Sequence, residues 1–309
     1  MRAIVFYPAD GVSNLQKLQM TTQEGDNLNV FGIKGNFDDA QRSVKAIFAD
    51  KQFCAKYADR YLFTSANSIN IGRLLPQIAY YFYAYSLSVG IGSIREGDAM
   101  NFVVPTGNFG NILAGYYAKK MGLPIYQLIC ATNVNNVLYD FIRTGVYNKK
   151  RAFKTTFSPS MDILISSNLE RLLYDTGGYE TVIRAYQSLE RTDEFSLEAP
   201  LPAFDTGFVT DSETVKTIAE VYHTKRYIID PHTAVAQCAY DKYRQRTGDE
   251  TYTVILATAS PYKFPETVHK ALGNVLDNPP PSLRSLEEKP VLHGEVIDDI
   301  RKTIEKILQ

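Results

Sequence analysis

The run Val103-Val104-Pro105-Thr106-Gly107-Asn108-Phe109-Gly110-Asn111 carries the sharpest chemical signal in the chain. An apolar strand feeds a glycine-punctuated loop, and the loop feeds an apolar helix. Glycine lets backbone N–H groups turn inward and approach an anion closely. A helix start adds donors with no partner inside the helix, together with a partial positive charge. Gly107, Asn108, Phe109, Gly110 and Asn111 are therefore candidate phosphate ligands, and Asn108 and Asn111 can add side-chain donors. The loop contains no lysine, which separates it from Walker-type nucleotide loops, and its spacing differs from the dinucleotide fingerprint. The same residues also suit an ordinary strand-to-helix turn, so taken alone they leave both readings open.

Other positions can do chemistry as well. Thr258 follows an apolar run, and Pro265 and Glu266 suit the first turn of a helix beyond it. In open α/β sheets ligands gather at the carboxyl ends of strands, which makes Thr258 a candidate partner for a ring nitrogen. The plainer role for its hydroxyl is to cap the next turn. Asn67, Ser68, Asn70 and Arg73 precede an apolar stretch. Arg73 can grip a carboxylate or phosphate through two parallel hydrogen bonds, but the cluster also suits a polar helix entry capped by Asn67 or Ser68. His232, in Asp230-Pro231-His232-Thr233-Ala234, reads as a structural hydrogen-bonder, because no serine or cysteine nucleophile elbow accompanies it. Tyr80, Tyr81 and Tyr83 read as packing residues. The cysteines number three and the histidines four, without a CxxC, which argues against a disulfide framework or a zinc site.

The surrounding elements alternate. Residues 3–7 form a continuous apolar run expected to be a strand buried on both faces. After a turn at 8–11, Ser13 can cap a helix through residue 20. A strand at 28–33 closes at Gly35. Residues 37–50 make an amphipathic helix with Phe37, Ala40, Val44, Ile47 and Phe48 on one face, and Asp38 and Asp39 sit in its first turn. This order implies βαβ units and a parallel sheet. Residues 69–86 are apolar nearly all round, as in a helix buried between layers. Further strands are expected at 101–105, 125–130, 227–230 and 252–257, and a helix at 111–121 that Gly122 and Pro124 stop. Residues 176–212 read as a polar excursion, 279–285 as a linker and 295–308 as a terminal amphipathic helix. The chain has 309 residues, enough for two unequal domains, expected at 1–90 and 91–309. With 33 basic and 34 acidic residues it has no charge bias toward nucleic acid. No apolar run reaches the roughly 20 residues that span a bilayer, and residues 1–11 hold too short an apolar stretch for a secretory signal. Sparse cysteines fit a reduced, cytoplasmic setting.

Taken in order, these segments resemble threonine synthase. The resemblance is carried by Phe6-Tyr7-Pro8 through Ser13 and Leu18-Gln19-Met20, by Gly35-Asn36-Phe37-Asp38-Asp39-Ala40-Gln41, and by residues 67–85, 104–124, 158–173, 230–234 and 258–264. It covers residues 1–272. It implies an α/β, fold type II pyridoxal phosphate (PLP) enzyme, tryptophan synthase β-like, with parallel sheets flanked by helices. It further implies conversion of O-phosphohomoserine and water into threonine and phosphate, with 91–309 as the PLP-binding domain. Gly107, Asn108, Phe109, Gly110 and Asn111 would hold the cofactor phosphate, and Thr258 its pyridine nitrogen, which a neutral hydroxyl leaves largely unprotonated. Asn67, Ser68, Asn70 and Arg73 would contact the substrate.

One departure outweighs these matches. The family's Ser-Phe-Lys-Asp type motif, whose lysine binds PLP covalently, and its Ser-Gly-Asp-Thr-Gly motif are not in this sequence. No catalytic residue is therefore assigned. The chain is expected to be an N-terminally truncated threonine synthase, inactive alone, with an incomplete first domain and exposed core surface that drives association. Asn14 stands where the family has proline, a change confined to a loop. The alternatives are a PLP-dependent phospho-lyase on the same fold, a non-catalytic PLP- or anion-binding protein, and half of a split enzyme whose companion supplies the lysine segment.

Overall fold

The computed structural model describes every residue except Gly11, Asn36, 198–200, Pro202, Asp277 and Asn278, and omits the side chains of Phe37 and Asp38. The chain opens with β1 (Ala3–Pro8), α1 (Asn14–Thr21), β2 (Leu28–Ile33), α2 (Phe37–Ala49) and α3 (Lys51–Tyr57). It continues through α4 (Ile71–Leu74), α5 (Ile78–Gly90), β3 (Met100–Pro105), α6 (Gly110–Lys120), β4 (Ile125–Thr132), α7 (Val137–Thr144) and β5 (Val146–Asn148). Next come α8 (Leu169–Thr192), β6 (Glu194–Ser196), β7 (Phe204–Phe208), α9 (Asp211–Lys225), α10 (Pro231–Thr247), β8 (Thr253–Ile255) and α11 (Pro265–Leu272). It closes with α12 (Pro281–Arg284), β9 (Glu295–Ile297) and α13 (Ile300–Leu308).

Two units result, one of Met1–Thr64 with Leu276–Gln309 and one of Ser65–Val275. This corrects the boundary expected near residue 90. Helix α5 joins the second unit because Tyr81 packs edge-on to Phe102, with ring centroids 4.8 Å apart. The end of the chain returns to the first unit because β9 pairs in parallel with β2, with Phe31 opposite Glu295 and Ile33 opposite Ile297. An apolar run announces burial but does not say which sheet will bury it.

In the first unit the strand order is β1-β2-β9, all parallel. Ser13 caps α1 as expected and forms a capping box. The Gln16 N–H donates to Ser13 Oγ at 3.3 Å, and the Ser13 N–H donates to Gln16 Oε1 at 3.1 Å. Ala3 through Phe6 are only half-buried, not enclosed on both faces. The helix expected over 295–308 divides into β9 and α13, because Asp299 accepts the Lys302 N–H at 3.0 Å and so starts the helix there. The expected linker at 279–285 contains the short helix α12. A cavity of about 410 Å³ opens beyond β2 and β9. Both cations in its lining are already paired, Lys34 with Asp298 at 2.9 Å and Arg301 with Asp50, outside the lining, at 2.8 Å.

In the second unit the order is β7-β4-β3-β8, again all parallel, with a separate antiparallel pair β5-β6. Alternate residues of β3 and β4 serve opposite faces. Phe102, Val104, Leu128 and Cys130 pack with Ile112 and Leu113 of α6. Val103, Ile129 and Ala131 pack with Val235, Ala236 and Ala239 of α10. Cover on both faces is why residues 102–104 of β3 and 128–131 of β4 are apolar at consecutive positions. The expected polar excursion at 176–212 contains the second half of α8, β6 and β7, with Leu189, Phe195 and Phe204 buried. Its polarity comes from the outward side of α8, where Tyr179, Glu180 and Arg184 are exposed, and Gly178 (φ 75°) breaks that helix. The strand expected at 227–230 is absent among the described residues, because Asp230 already caps α10 there. Helix α5 corrects a further expectation. Only Tyr81 and Ser88 of it are buried, while Tyr80, Tyr83 and Leu87 of it, with Leu75 before it and Ile91 just after it, are each at least 49% exposed. No described helix is long and apolar enough to cross a membrane.

Asp249 ties this sheet to α10. Its carboxylate accepts from Asn101 Nδ2 at 2.7 Å, the Tyr243 hydroxyl at 2.7 Å and the Thr251 N–H at 2.9 Å. Burial opposes its charge, but these donors outweigh burial and hold its pKa down to about 2. A folded pKa below the unfolded one gives stability that is complete above about pH 4 and disappears as pH falls toward 2. Asp249→Asn should therefore cost about 1–2 kcal/mol at pH 7, a figure discounted for partial exposure, and almost nothing at pH 2. Urea unfolding of both proteins across that range measures it, and an equal penalty at both ends would refute the linkage.

Candidate functional site

The site forms where the chain leaves the carboxyl ends of β3 and β8. Val103 pairs with Ile255, the last residue of β8, and β3 runs on to Pro105, so the 105–111 loop and Thr258 leave the same end of the sheet. Thr106 is tied to β4 by its N–H, which donates to the Ala131 carbonyl at 2.8 Å. A cavity of about 250 Å³ lies there. Gly107, Asn108, Phe109, Gly110, Asn111 and Thr258 all line it, and so do Ser68 and Arg73. Asn67 and Asn70 do not. The Asn67 Oδ1 accepts the Ile69 N–H at 3.2 Å, and the Asn70 Oδ1 accepts the Gly72 N–H at 2.8 Å and caps α4. Short amides at a helix entry bond their own backbone in this way, and that local bond keeps both side chains away from the cavity.

Helix α6 starts without a side-chain cap. The first bond back into it is from the Leu113 N–H to the Phe109 carbonyl at 3.0 Å, so the preceding first-turn amides, on residues that line the cavity, stay available to a ligand. Phe109 holds the left-handed conformation (φ 62°), which costs about 1–3 kcal/mol and persists because its buried ring lies 5.5 Å from that of Phe204. At Gly107 a Cβ would meet the Ser160 carbonyl oxygen at 2.7 Å and the Met161 Cα at 3.2 Å, so only glycine allows this approach.

Residues 166–168 take up the carbonyl side of the loop. Ser166 Oγ donates to the Gly107 carbonyl at 2.8 Å and Ser167 Oγ to Asn108 Oδ1 at 3.2 Å. Asn168 Nδ2 donates to the Asn108 carbonyl at 3.0 Å and the Ser68 carbonyl at 2.9 Å. On the other side, the Tyr81 hydroxyl donates to the Asn111 carbonyl at 2.8 Å and to its Oδ1 at 3.0 Å. Burial pushes the Tyr81 pKa well up, so it stays a donor, and the Asn111 Nδ2 hydrogens remain available to the cavity. Sequence reasoning took 166–168 only as part of the 158–173 resemblance and gave neither that run nor the Tyr81 hydroxyl a role at the site. The only available signal was the polar Ser-Ser-Asn run ahead of an apolar helix.

Arg73 is the only lysine, arginine or carboxylate side chain among the described residues lining this cavity. The donor set is thus backbone amides, the carboxamides of Asn108, Asn111 and Gln77, hydroxyls and one guanidinium. It suits a phosphate ester, and Thr258 adds a neutral hydroxyl to the lining. Burial pushes the Cys130 thiol up to about 12, which disfavours the thiolate that nucleophilic chemistry needs. Among the described residues no cluster of metal-ligating side chains exists.

Comparison with known proteins agrees with this geometry. The family described as "Threonine synthase, C-terminal" matches residues 233–307. Threonine synthase from Saccharomyces cerevisiae is 39% identical over 290 residues, which is 87% of this chain and 55% of the yeast protein. That of Pseudomonas aeruginosa is 42% identical over 274 residues, 86% of this chain and 56% of the bacterial protein. The crystal structure of PLP-bound threonine synthase from Brucella melitensis superposes with a TM-score of 0.84 at 39% identity, covering 99% of this chain and 64% of that one. The chain spans little more than half the length of these two curated relatives. Over that span, in sequence and in fold, the chain is similar to the threonine synthases.

Proposed function

We propose that Ser65–Val275 forms the cofactor-binding part of a PLP-dependent threonine synthase that converts O-phosphohomoserine and water into threonine and phosphate, a carbon–oxygen lyase of the cytoplasm. The observation that carries this reading is the uncapped start of α6 opening, with Thr258 beside it, into a cavity lined by no lysine. Gly107, Asn108, Phe109, Gly110 and Asn111 present amides and a carboxamide to the cofactor phosphate. Thr258 donates to the ring nitrogen without protonating it. Arg73 and Ser68 lie where the phosphate or carboxylate of the substrate would be held, and Arg73 supplies the charge. When bound, PLP supplies an electron sink for chemistry at the substrate's carbon atoms. The proton transfers need a lysine, and this sequence holds no motif that provides it, so the chain alone binds and orients but does not turn over.

That lysine belongs to a companion segment. The exposed apolar stripe of Tyr80, Tyr83, Leu87 and Ile91, spaced i, i+3, i+7 and i+11, supports this reading, since a soluble monomer rarely leaves such a stripe uncovered. Alone, the chain should self-associate in light scattering, and a stable monomer would contradict the idea.

The function is tested by titrating the purified chain with PLP, followed by borohydride reduction and peptide mapping. Reversible binding without a label at any one lysine is expected. A stoichiometric label on a single lysine would overturn the assignment of that role to another segment, and an absence of binding would overturn the cofactor reading. Threonine formation from O-phosphohomoserine should appear only on mixing with a polypeptide that carries the lysine motif.

A further inference from the structure

His232 takes no part in the function proposed above, yet its buried ring, 3% exposed, lines the same cavity. Asp230 caps α10 by accepting the His232 N–H at 2.8 Å, and its Oδ1 also lies 2.8 Å from His232 Nδ1. A carboxylate only accepts, so Nδ1 carries the ring proton and Nε2 keeps its lone pair. Nε2 accepts the backbone N–H of Ser160 at 3.3 Å. The ring also stands edge-on to Phe264 at 4.8 Å. Both nitrogens are thus committed to the protein, which suits holding rather than proton exchange.

What the ring holds is the residue behind the phosphate loop. The Ser160 carbonyl is the atom that a Cβ on Gly107 would strike at 2.7 Å, so the position of Ser160 limits where Gly107 can sit. The same turn, Pro159–Met161, is fastened at its far end by Asp162. That carboxylate accepts from Asn133 Nδ2 at 2.7 Å, Asn135 Nδ2 at 2.9 Å and the Thr156 N–H at 2.9 Å. The Asp162 network fixes the turn from the end of β4, and His232 fixes it from the start of α10.

We infer that His232, oriented by Asp230, is a positioning residue that sets the Ser160 turn against Gly107 and so aims the amides of the phosphate loop. This rests on reading that loop as the PLP phosphate site. Two variants separate the hydrogen bond from the ring. In His232→Gln the side-chain oxygen reaches the place of Nε2 and can accept the Ser160 N–H, whereas in His232→Asn it falls short while an N–H remains for Asp230. Hydrogen exchange across residues 106–112 of the free chain should quicken roughly tenfold in His232→Asn and stay within about threefold of the unmodified chain in His232→Gln, with β3 and β4 unchanged in both. PLP should bind roughly tenfold more weakly to the Asn variant only. Equal impairment in both variants would assign the effect to ring packing on Phe264 and overturn the proposal, as would wild-type behaviour in His232→Asn. Nitrogen-15 NMR of labelled histidine in the unmodified chain tests the same point without a variant, because a proton on His232 Nε2 refutes it. Failure of the unmodified chain to bind PLP would remove the cofactor reading, and the exchange comparison would still decide the role of His232.

Discussion

Gly107→Ala should weaken PLP binding at least about tenfold, the effect of a displaced phosphate loop. The added Cβ meets a backbone carbonyl at 2.7 Å and a backbone Cα at 3.2 Å, and neither can swing aside as a side chain could. One of two things must move. The Ser160 turn is fastened by the Asp162 carboxylate and by His232, whereas the loop is held by weaker contacts to neutral hydroxyls and amides. The loop therefore yields, and its donors leave the positions a phosphate needs. Overpacking of this kind costs about 1–3 kcal/mol in stability, so the protein still folds and the loss shows in a fluorescence titration with PLP. Gly90→Ala is the control. Nothing lies within 4 Å of a Cβ there and the φ angle is ordinary, so that variant should be neutral or slightly more stable. Undiminished PLP affinity in Gly107→Ala would show that the loop does not hold the phosphate.

Tyr81→Ala should cost about 3–5 kcal/mol, the largest single loss of stability expected in the second unit. The ring is fully buried, packs on Phe102 and fills the space above Gly115, where a Cβ would stand 2.6 Å from it. Tyr81→Phe isolates the hydroxyl. It keeps the ring but leaves the Asn111 carbonyl and carboxamide without their donor, at a cost of about 1–2 kcal/mol. Because Asn111 lines the cavity, the Phe variant should also lose PLP affinity by a few-fold, roughly what one misaligned donor is worth. Urea unfolding and PLP titration together check this. A Phe variant indistinguishable from the unmodified chain in both would rule out a hydroxyl link between the core and the loop.

The sequence by itself determined the elements whose causes are local. The glycine loop between β3 and α6 was legible because glycine and a helix start have direct backbone consequences. The Ser13 cap was legible for the same reason, and so was the stop of α6 just before Gly122 (φ 101°). Only tertiary structure decided which of the polar residues reach the site. Asn67 and Asn70 carry the same side-chain chemistry as Asn108 and Asn111, but their oxygens are held by neighbouring backbone N–H groups. Tertiary structure also decided that β9 returns to β2, that α5 buries Tyr81 and leaves Tyr80 and Tyr83 exposed, and that Ser160 meets both His232 and Gly107. Caps and glycine turns act over a few residues and leave a trace in the order of residue types. Pairing between strands more than 200 residues apart depends on which apolar surfaces meet, and residue order does not record that.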